Sequence, residues 1–299
     1  MLCVFYTAPR NANHMQDFSG KVAFVTGGDK GMGLVTARQL AARGAHVAIF
    51  SRQPGEAAEQ EIRTACRSPA QQVMRFALDV ANRDNVLEIM ARAQRAMRAP
   101  DLVICMAGIG ATRRFVDMPF EVFDRMLQVN LYGTRHVIEA VLPGMIARGR
   151  GTLVPVASLG GFVPVYGYTA YGTSKFAVLG LAQCLRYELA PLGIEVCCFC
   201  PGQVATPGLA AEAQTLLPAA GALKLAGGTL PVEPAIRGLL RGIERGRPVI
   251  IPGARANLVY WLWRLTPIRL WNAITDAIVR VALRPASPSA DGGAGPGPR

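Results

Sequence analysis

Short, continuously apolar runs alternate with longer amphipathic stretches down most of this chain, and that alternation narrows the possible folds. VAFVT (22–26), HVAIF (46–50), VMRFALDV (73–80), DLVIC (101–105), TLVPV (152–156), EVCCFC (195–200) and PVII (248–251) are of strand length and show little polar alternation. Strands covered on both faces have this pattern, because neither side meets water. Between them, TARQLAARG, the 56–66 region, NVLEIMARAQRAM, the 120–149 stretch and SKFAVLGLAQCLRYELA have helical spacing. The sequence therefore predicts an α/β fold, a doubly wound parallel sheet with helices on both faces. A length of 299 residues with 51% apolar content suits a single domain. Residues 1–17 are expected to form an N-terminal arm, 18–253 the domain and 254–284 a hydrophobic, amphipathic helical extension. PASPSADGGAGPGPR (285–299) is expected to be disordered.

The first apolar run leads into TGGDKGMG (26–33) and then into a helix. Gly27, Gly31 and Gly33 let the backbone turn tightly and approach a pyrophosphate. The helix N-terminus that follows offers N–H donors and a positive dipole end. A position between the first strand and the first helix is the context such a loop requires, so Thr26, Lys30 and Met32 join the glycines as expected cofactor contacts. The second run ends in Ser51-Arg52. An acid at this distance would accept hydrogen bonds from the adenosine ribose of NAD, whereas an arginine pairs with the 2′-phosphate of NADP. SRQPG holds no acid, and Lys30 adds a second positive charge, so NADP(H) is the expected cofactor. Asp79, with Val80 beside it, either bonds the adenine amino group or caps the next helix.

YGYTAYGTSK (166–175) carries the candidate chemistry. On a helix, Tyr171 and Lys175 project from one face. A free tyrosine titrates near 10 and exchanges protons poorly at neutral pH, while a nearby ammonium favours its phenolate. The pair is a candidate general acid/base. Ser158 follows TLVPV, and its hydroxyl can hold a carbonyl oxygen against the tyrosine. Asn130, in LQVNLYGT, can position a water that relays protons to the lysine. Tyr166 and Tyr168 lack the lysine spacing and read as packing or substrate-pocket residues.

TGGDKGMG, LDV, the AG at Ala107-Gly108, VNLYGT, Ser158, YGTSK and PGQVATPG occur in this order over residues 18–250. The ordered set resembles the short-chain dehydrogenase/reductase family, which implies a Rossmann fold. The resemblance also implies a catalytic tetrad of Asn130, Ser158, Tyr171 and Lys175. In it, Tyr171 protonates the carbonyl oxygen as hydride arrives, and Lys175 also grips the nicotinamide ribose. Pro201, Gly202, Val204 and Thr206 match the loop contacting the nicotinamide half. Two positions depart from the family pattern: Cys105-Met106 stands where paired asparagines are usual, and Ala157-Ser158 where two serines are. The first departure puts part of the cofactor contact in question.

The segment after Thr206, PGLAAEAQTLLPAAGALKLAGGTL, is mostly apolar with one acid and one lysine. It reads either as a cover over a lipophilic group or as a surface helix pair. ATPGLAAE and the hydrophobic extension are similar to reductases of 3-ketosphinganine and related long-chain ketones. The expected function is thus NADPH-dependent reduction of a lipophilic carbonyl, or the reverse oxidation of the alcohol. The alternatives are a 3-oxoacyl thioester reductase, a hydroxysteroid- or retinol-type alcohol dehydrogenase, and a non-catalytic NADPH-binding regulator.

The net charge is +12, and between Arg237 and Arg284 nine arginines face two acids. All three tryptophans, Trp261, Trp263 and Trp271, lie in the same region. Such a stretch suits a membrane interface, a cover on the core or an oligomer contact, so peripheral membrane contact through 255–284 is one expectation. No nucleic-acid motif is present, and no nucleic acid is expected. A homo-oligomer, dimer or tetramer, is expected. Seven cysteines form no framework, which points to a reducing, cytoplasmic setting, at most peripheral to a membrane. MLCVFYTAPR has no charged n-region and is not read as a signal peptide. The three histidines are far apart in sequence, so no metal is expected.

Overall fold

The computed structural model describes residues 15–284. The expected tail at 285–299 and most of the expected arm lie outside the described residues. The chain runs β1 (Val22–Thr26), α1 (Gly31–Ala41), β2 (His46–Ser51), α2 (Glu56–Thr64), β3 (Val73–Ala77), α3 (Arg83–Met97) and β4 (Leu102–Cys105). Next come α4 (Phe120–Leu127), one π-helical turn (Gln128–Tyr132), α5 (Gly133–Arg148), β5 (Gly151–Pro155), α6 (Thr169–Leu189), β6 (Ile194–Val196) and β7 (Cys198–Phe199). The remainder is β8 (Gln203–Val204), α7 (Pro207–Ala213), α8 (Pro218–Lys224), β9 (Thr229–Leu230), α9 (Val232–Glu244), β10 (Val249–Ile250), α10 (Ala254–Leu265) and α11 (Ile268–Ala282).

The sheet is parallel in the order β3-β2-β1-β4-β5-β6. EVCCFC forms two short strands rather than one. Its first half pairs with β5, and its second half, β7, pairs with β10. Strand order reverses between β1 and β4, and in such sheets ligands bind beyond the carboxyl ends of the strands at that reversal. The runs of β1, β2, β4 and β5 are buried on both faces, as the sequence predicts, whereas β3 at the sheet edge exposes Arg75 and Ala77. Phe24, Phe50 and Phe76 stack across one face, with ring centroids 5.2 and 5.3 Å apart. Val25, Ile49 and Leu40 pack on the other face.

The extension is two helices, not one. Pro267 lacks an N–H and forces Thr266 into an extended conformation, so the helix stops and restarts. Tyr260 and Trp263 turn inward onto Phe162, with centroids 4.9 and 6.0 Å away. One side of α10 is therefore a cover on the core, while Leu258, Trp261, Leu262 and Leu265 stay exposed. The 207–224 segment is a helix pair, and α11 packs on its second member.

Candidate active site

The glycine loop is shaped by steric necessity. Gly27 and Gly31 hold φ of 63° and 53°, conformations that favour glycine. A Cβ on Gly33 would stand 1.9 Å from the Gly27 carbonyl oxygen, so helix and turn meet more closely than any side chain permits. Helix α1 starts with no side-chain cap and no acid in its first turn, which leaves its N–H donors for an anion. Thr206, which caps α7 by accepting from Leu209 N at 3.1 Å, lies beside Gly31. The Gly31 loop and the 201–206 loop thus meet.

At the end of β2, Ser51 Oγ is buried and finds no hydrogen-bond partner among the described residues. Arg52 beside it is exposed. An orphan hydroxyl, an uncapped helix and a basic side chain fit a phosphorylated dinucleotide. Asp79 does not cap α3; Asn82 does, accepting from Asn85 N at 3.0 Å. The Asp79 carboxylate instead accepts from Ala81 N at 3.0 Å and from Arg125 at 3.2 Å. Burial pushes its pKa up, but these bonds and the charges of Arg125 and Arg52 hold it below the usual value. Val80 is buried, and its carbonyl lies 3.1 Å from His136 Nδ1. Met32 packs partly against the core. Just past Cys105-Met106, Thr26 Oγ1 accepts from Ala107 N at 3.1 Å and ties the turn after β4 to β1.

Tyr171 and Lys175 sit in the first two turns of α6, on one face. Lys175 is buried, 6% exposed, and Nζ lies 5.7 Å from the Tyr171 ring centroid. That nitrogen donates to Val156 O at 2.9 Å. Burial pushes the Lys175 pKa down to about 8, partly offset by Cys198 and Cys200. Burial raises the Tyr171 pKa, and a hydrogen bond with Ser158 pulls it the other way. The Lys175 nitrogen is thus bonded to a backbone carbonyl rather than to the Tyr171 hydroxyl. Ser158 Oγ also accepts from Gly160 N at 3.1 Å and lies 3.4 Å from Pro201 O.

Asn130 occupies the π turn, a local widening of the helix common at functional sites. Its amide is largely used within the protein. Nδ2 donates to Ile109 O and Ser174 Oγ, both at 2.9 Å, and Oδ1 accepts from Ile109 N at 2.8 Å. Both donors are taken, so one Oδ1 lone pair remains. A Cβ on Gly108 would stand 3.2 Å from that oxygen and 3.6 Å from Lys175 Nζ. Gly110 similarly abuts the Tyr171 ring. The 108–110 segment, Asn130, Ser158, Tyr171 and Lys175 therefore converge. Of the matched loop, Pro201 and Val204 are buried, and Gly202 is half-buried.

The sequence reading missed Glu212 and Lys224. Both bond to Tyr168, whose ring packs against Tyr171 at 5.0 Å. The available signal was the single acid and single lysine in an otherwise apolar segment.

A family model described as short chain dehydrogenase matches residues 21–216. The chain belongs to that family. This short-chain dehydrogenase is 30% identical over 218 residues to a 3-ketodihydrosphingosine reductase of Bos taurus, covering 72% of this chain and 66% of the relative. The chain thus spans slightly less than two thirds of that relative's length. It is 36% identical over 190 residues to a 2-(R)-hydroxypropyl-CoM dehydrogenase of Xanthobacter autotrophicus, covering 62% and 76%. Among solved structures, an NAD+-bound xylitol dehydrogenase superposes with TM-score 0.69 at 28% identity, covering 76% of this chain and 93% of that one. A levodione reductase gives 0.74 at 23% identity over 80% and 99%, a likeness of fold. The family is one of oxidoreductases that act on carbonyl or hydroxyl groups with a nicotinamide cofactor.

Proposed function

We propose that this short-chain dehydrogenase reduces the carbonyl of a lipophilic ketone with NADPH, the best candidate being a long-chain 3-keto lipid such as 3-ketosphinganine. The observation that carries the reading is the Ser158–Tyr171–Lys175 cluster beside the largely apolar 207–224 helix pair, which meets it through Tyr168. NADPH, when bound, supplies the hydride. Ser158 orients the carbonyl oxygen, and the Tyr171 hydroxyl gives it a proton as its carbon accepts the hydride. Lys175, buried and titrating near 8, supplies the proton that restores the Tyr171 phenol and binds the ribose hydroxyls. Asn130 holds Ile109 and Ser174, which keeps the 108–110 segment against the tyrosine; its remaining Oδ1 lone pair is the site for a relay water.

Similarity to relatives named 3-ketodihydrosphingosine reductase and 3-dehydrosphinganine reductase supports the substrate class. The direct test is NADPH oxidation across long-chain 3-keto compounds, 3-oxoacyl thioesters and steroid or retinoid carbonyls. Turnover confined to thioesters overturns the lipid-ketone reading. Tight NADPH binding without turnover of any carbonyl makes the protein a regulator instead.

The preference for NADPH rests on Arg52, Lys30 and the unpaired Ser51 hydroxyl at the ribose end. Arg52→Asp should weaken NADPH binding by about 100-fold, since it replaces a charge-assisted bond with repulsion, and NADH binding far less. Isothermal titration with both cofactors measures this; an equal loss for both removes Arg52 from the 2′-phosphate.

The outer face of α10 and α11 fits an anionic lipid surface. Leu265 and Ile268 are 75% and 62% exposed, and Arg255, Arg264, Arg269 and Arg280 are exposed around them. No helix among the described residues is long and apolar enough to cross a membrane, so contact would be peripheral. Each basic residue near such a surface contributes about 1 kcal/mol, so Arg264→Glu/Arg269→Glu should lower partition onto phosphatidylglycerol vesicles by more than about tenfold. Unchanged co-sedimentation rejects the lipid contact.

A further inference from the structure

Tyr168 lies just before α6, one turn ahead of Tyr171, and is 7% exposed. Its ring meets the Tyr171 ring edge-on. Its hydroxyl donates a short hydrogen bond to Glu212 Oε1 and accepts one from Lys224 Nζ at 2.6 Å. Lys224 Nζ closes the triangle on Glu212 Oε1 at 2.7 Å. The side chains of this ion pair are only 10% and 16% exposed. Glu212 belongs to α7 and Lys224 to α8. The triangle therefore joins three elements, and α7 itself begins at Thr206 beside the glycine loop. Charges withdrawn from water must be well paired to be tolerated, and pairing through three mutual hydrogen bonds leaves little rotational freedom.

We propose that Tyr168, Glu212 and Lys224 form a positioning unit that ties the 207–224 helix pair to the start of α6 and holds the Tyr171 ring for proton transfer. The inference rests on Tyr171 being the proton donor. The helix pair is then more than a cover over substrate, because its two charged residues reach the reacting group through one intervening ring.

The unit has an electrostatic consequence. Around the Tyr171 phenol stand Lys175 from its own helix, Ser158 from the turn after β5, Glu212 from α7 and Tyr168, with Lys224 beyond. Burial is the main cause of the raised Tyr171 pKa, and the Glu212 carboxylate pushes it the same way. Removing that charge must shift Tyr171 titration to lower pH. Reduction requires the protonated phenol, so its alkaline limb must move to lower pH with it.

The experiment uses the full chain, NADPH and 3-ketosphinganine as probe substrate. Phenolate absorbance is titrated with and without the Tyr171→Phe change, and the difference isolates that one tyrosine. Glu212→Gln should move the titration and the alkaline limb of kcat/KM together to lower pH. Tyr168→Phe keeps the carboxylate, so the limb should stay, while looser placement of the ring lowers kcat by about tenfold. If Glu212→Gln alone fails to fold, Glu212→Gln/Lys224→Met removes both charges and should still move the titration down, by less than Glu212→Gln, because the more distant Lys224 cation opposes the carboxylate. Wild-type titration in the Glu212 variants together with wild-type kcat in Tyr168→Phe overturns the unit. A wild-type protein that turns over no carbonyl, or a fully active Tyr171→Phe, overturns the proposed function instead, and the absorbance titration still reads the unit independently of turnover.

Discussion

Tyr171→Phe lowers carbonyl reduction by about 10²- to 10⁴-fold, the usual contribution of a positioned general acid, with NADPH affinity changed by less than about threefold. The substitution removes one hydroxyl and keeps the ring that packs against Tyr168. Fold and cofactor loop are untouched, so the loss belongs to proton transfer. Single-turnover hydride transfer and NADPH titration separate the two effects. A variant with near wild-type turnover would overturn Tyr171 as the proton donor.

Lys175→Met should abolish turnover, by about 100-fold or more, and yet stabilise the fold. In the unfolded chain this lysine titrates near its ordinary 10.5, and in the folded chain near 8. Between those values the unfolded state holds the extra proton, so stability rises with pH across that window. Below about 8 both states are charged, and the penalty for the buried ammonium is complete, about 3 kcal/mol. Methionine fills a similar volume without the charge. It leaves Val156 O without its partner, which costs about 1–2 kcal/mol. The net gain of about 1–2 kcal/mol at neutral pH corresponds to a Tm rise of roughly 3–6 °C. Calorimetry at pH 7 and above pH 10 checks it, because the advantage should fade as the wild-type lysine loses its proton. A Tm below wild type at pH 7 would mean that Lys175 is a net structural support.

Elements defined by their own residues were legible early. VAFVT, HVAIF and DLVIC read as buried strands because a strand covered on both faces needs only apolar side chains, a local property. Boundaries that depend on partners were less legible. EVCCFC reads as one strand, but its halves pair with different neighbours. The extension reads as helical, and Pro267 divides it into two helices. Asn130 was found by position, but its π turn and its bonds to Ile109 and Ser174 depend on a chain segment about twenty residues earlier and a helix forty-four residues later.

By itself the sequence determined the α/β order, the glycine loop and the common face of Tyr171 and Lys175. Each follows from backbone periodicity or from the unique freedom of glycine, which act over a few residues. Tertiary structure alone decided that Lys175 points at Val156 O, that Thr26 holds the turn after β4, and that Glu212 and Lys224 meet on Tyr168. Those contacts arise where elements remote in sequence are packed together. Charge placement and burial, not spacing, then set the proton affinities at the site.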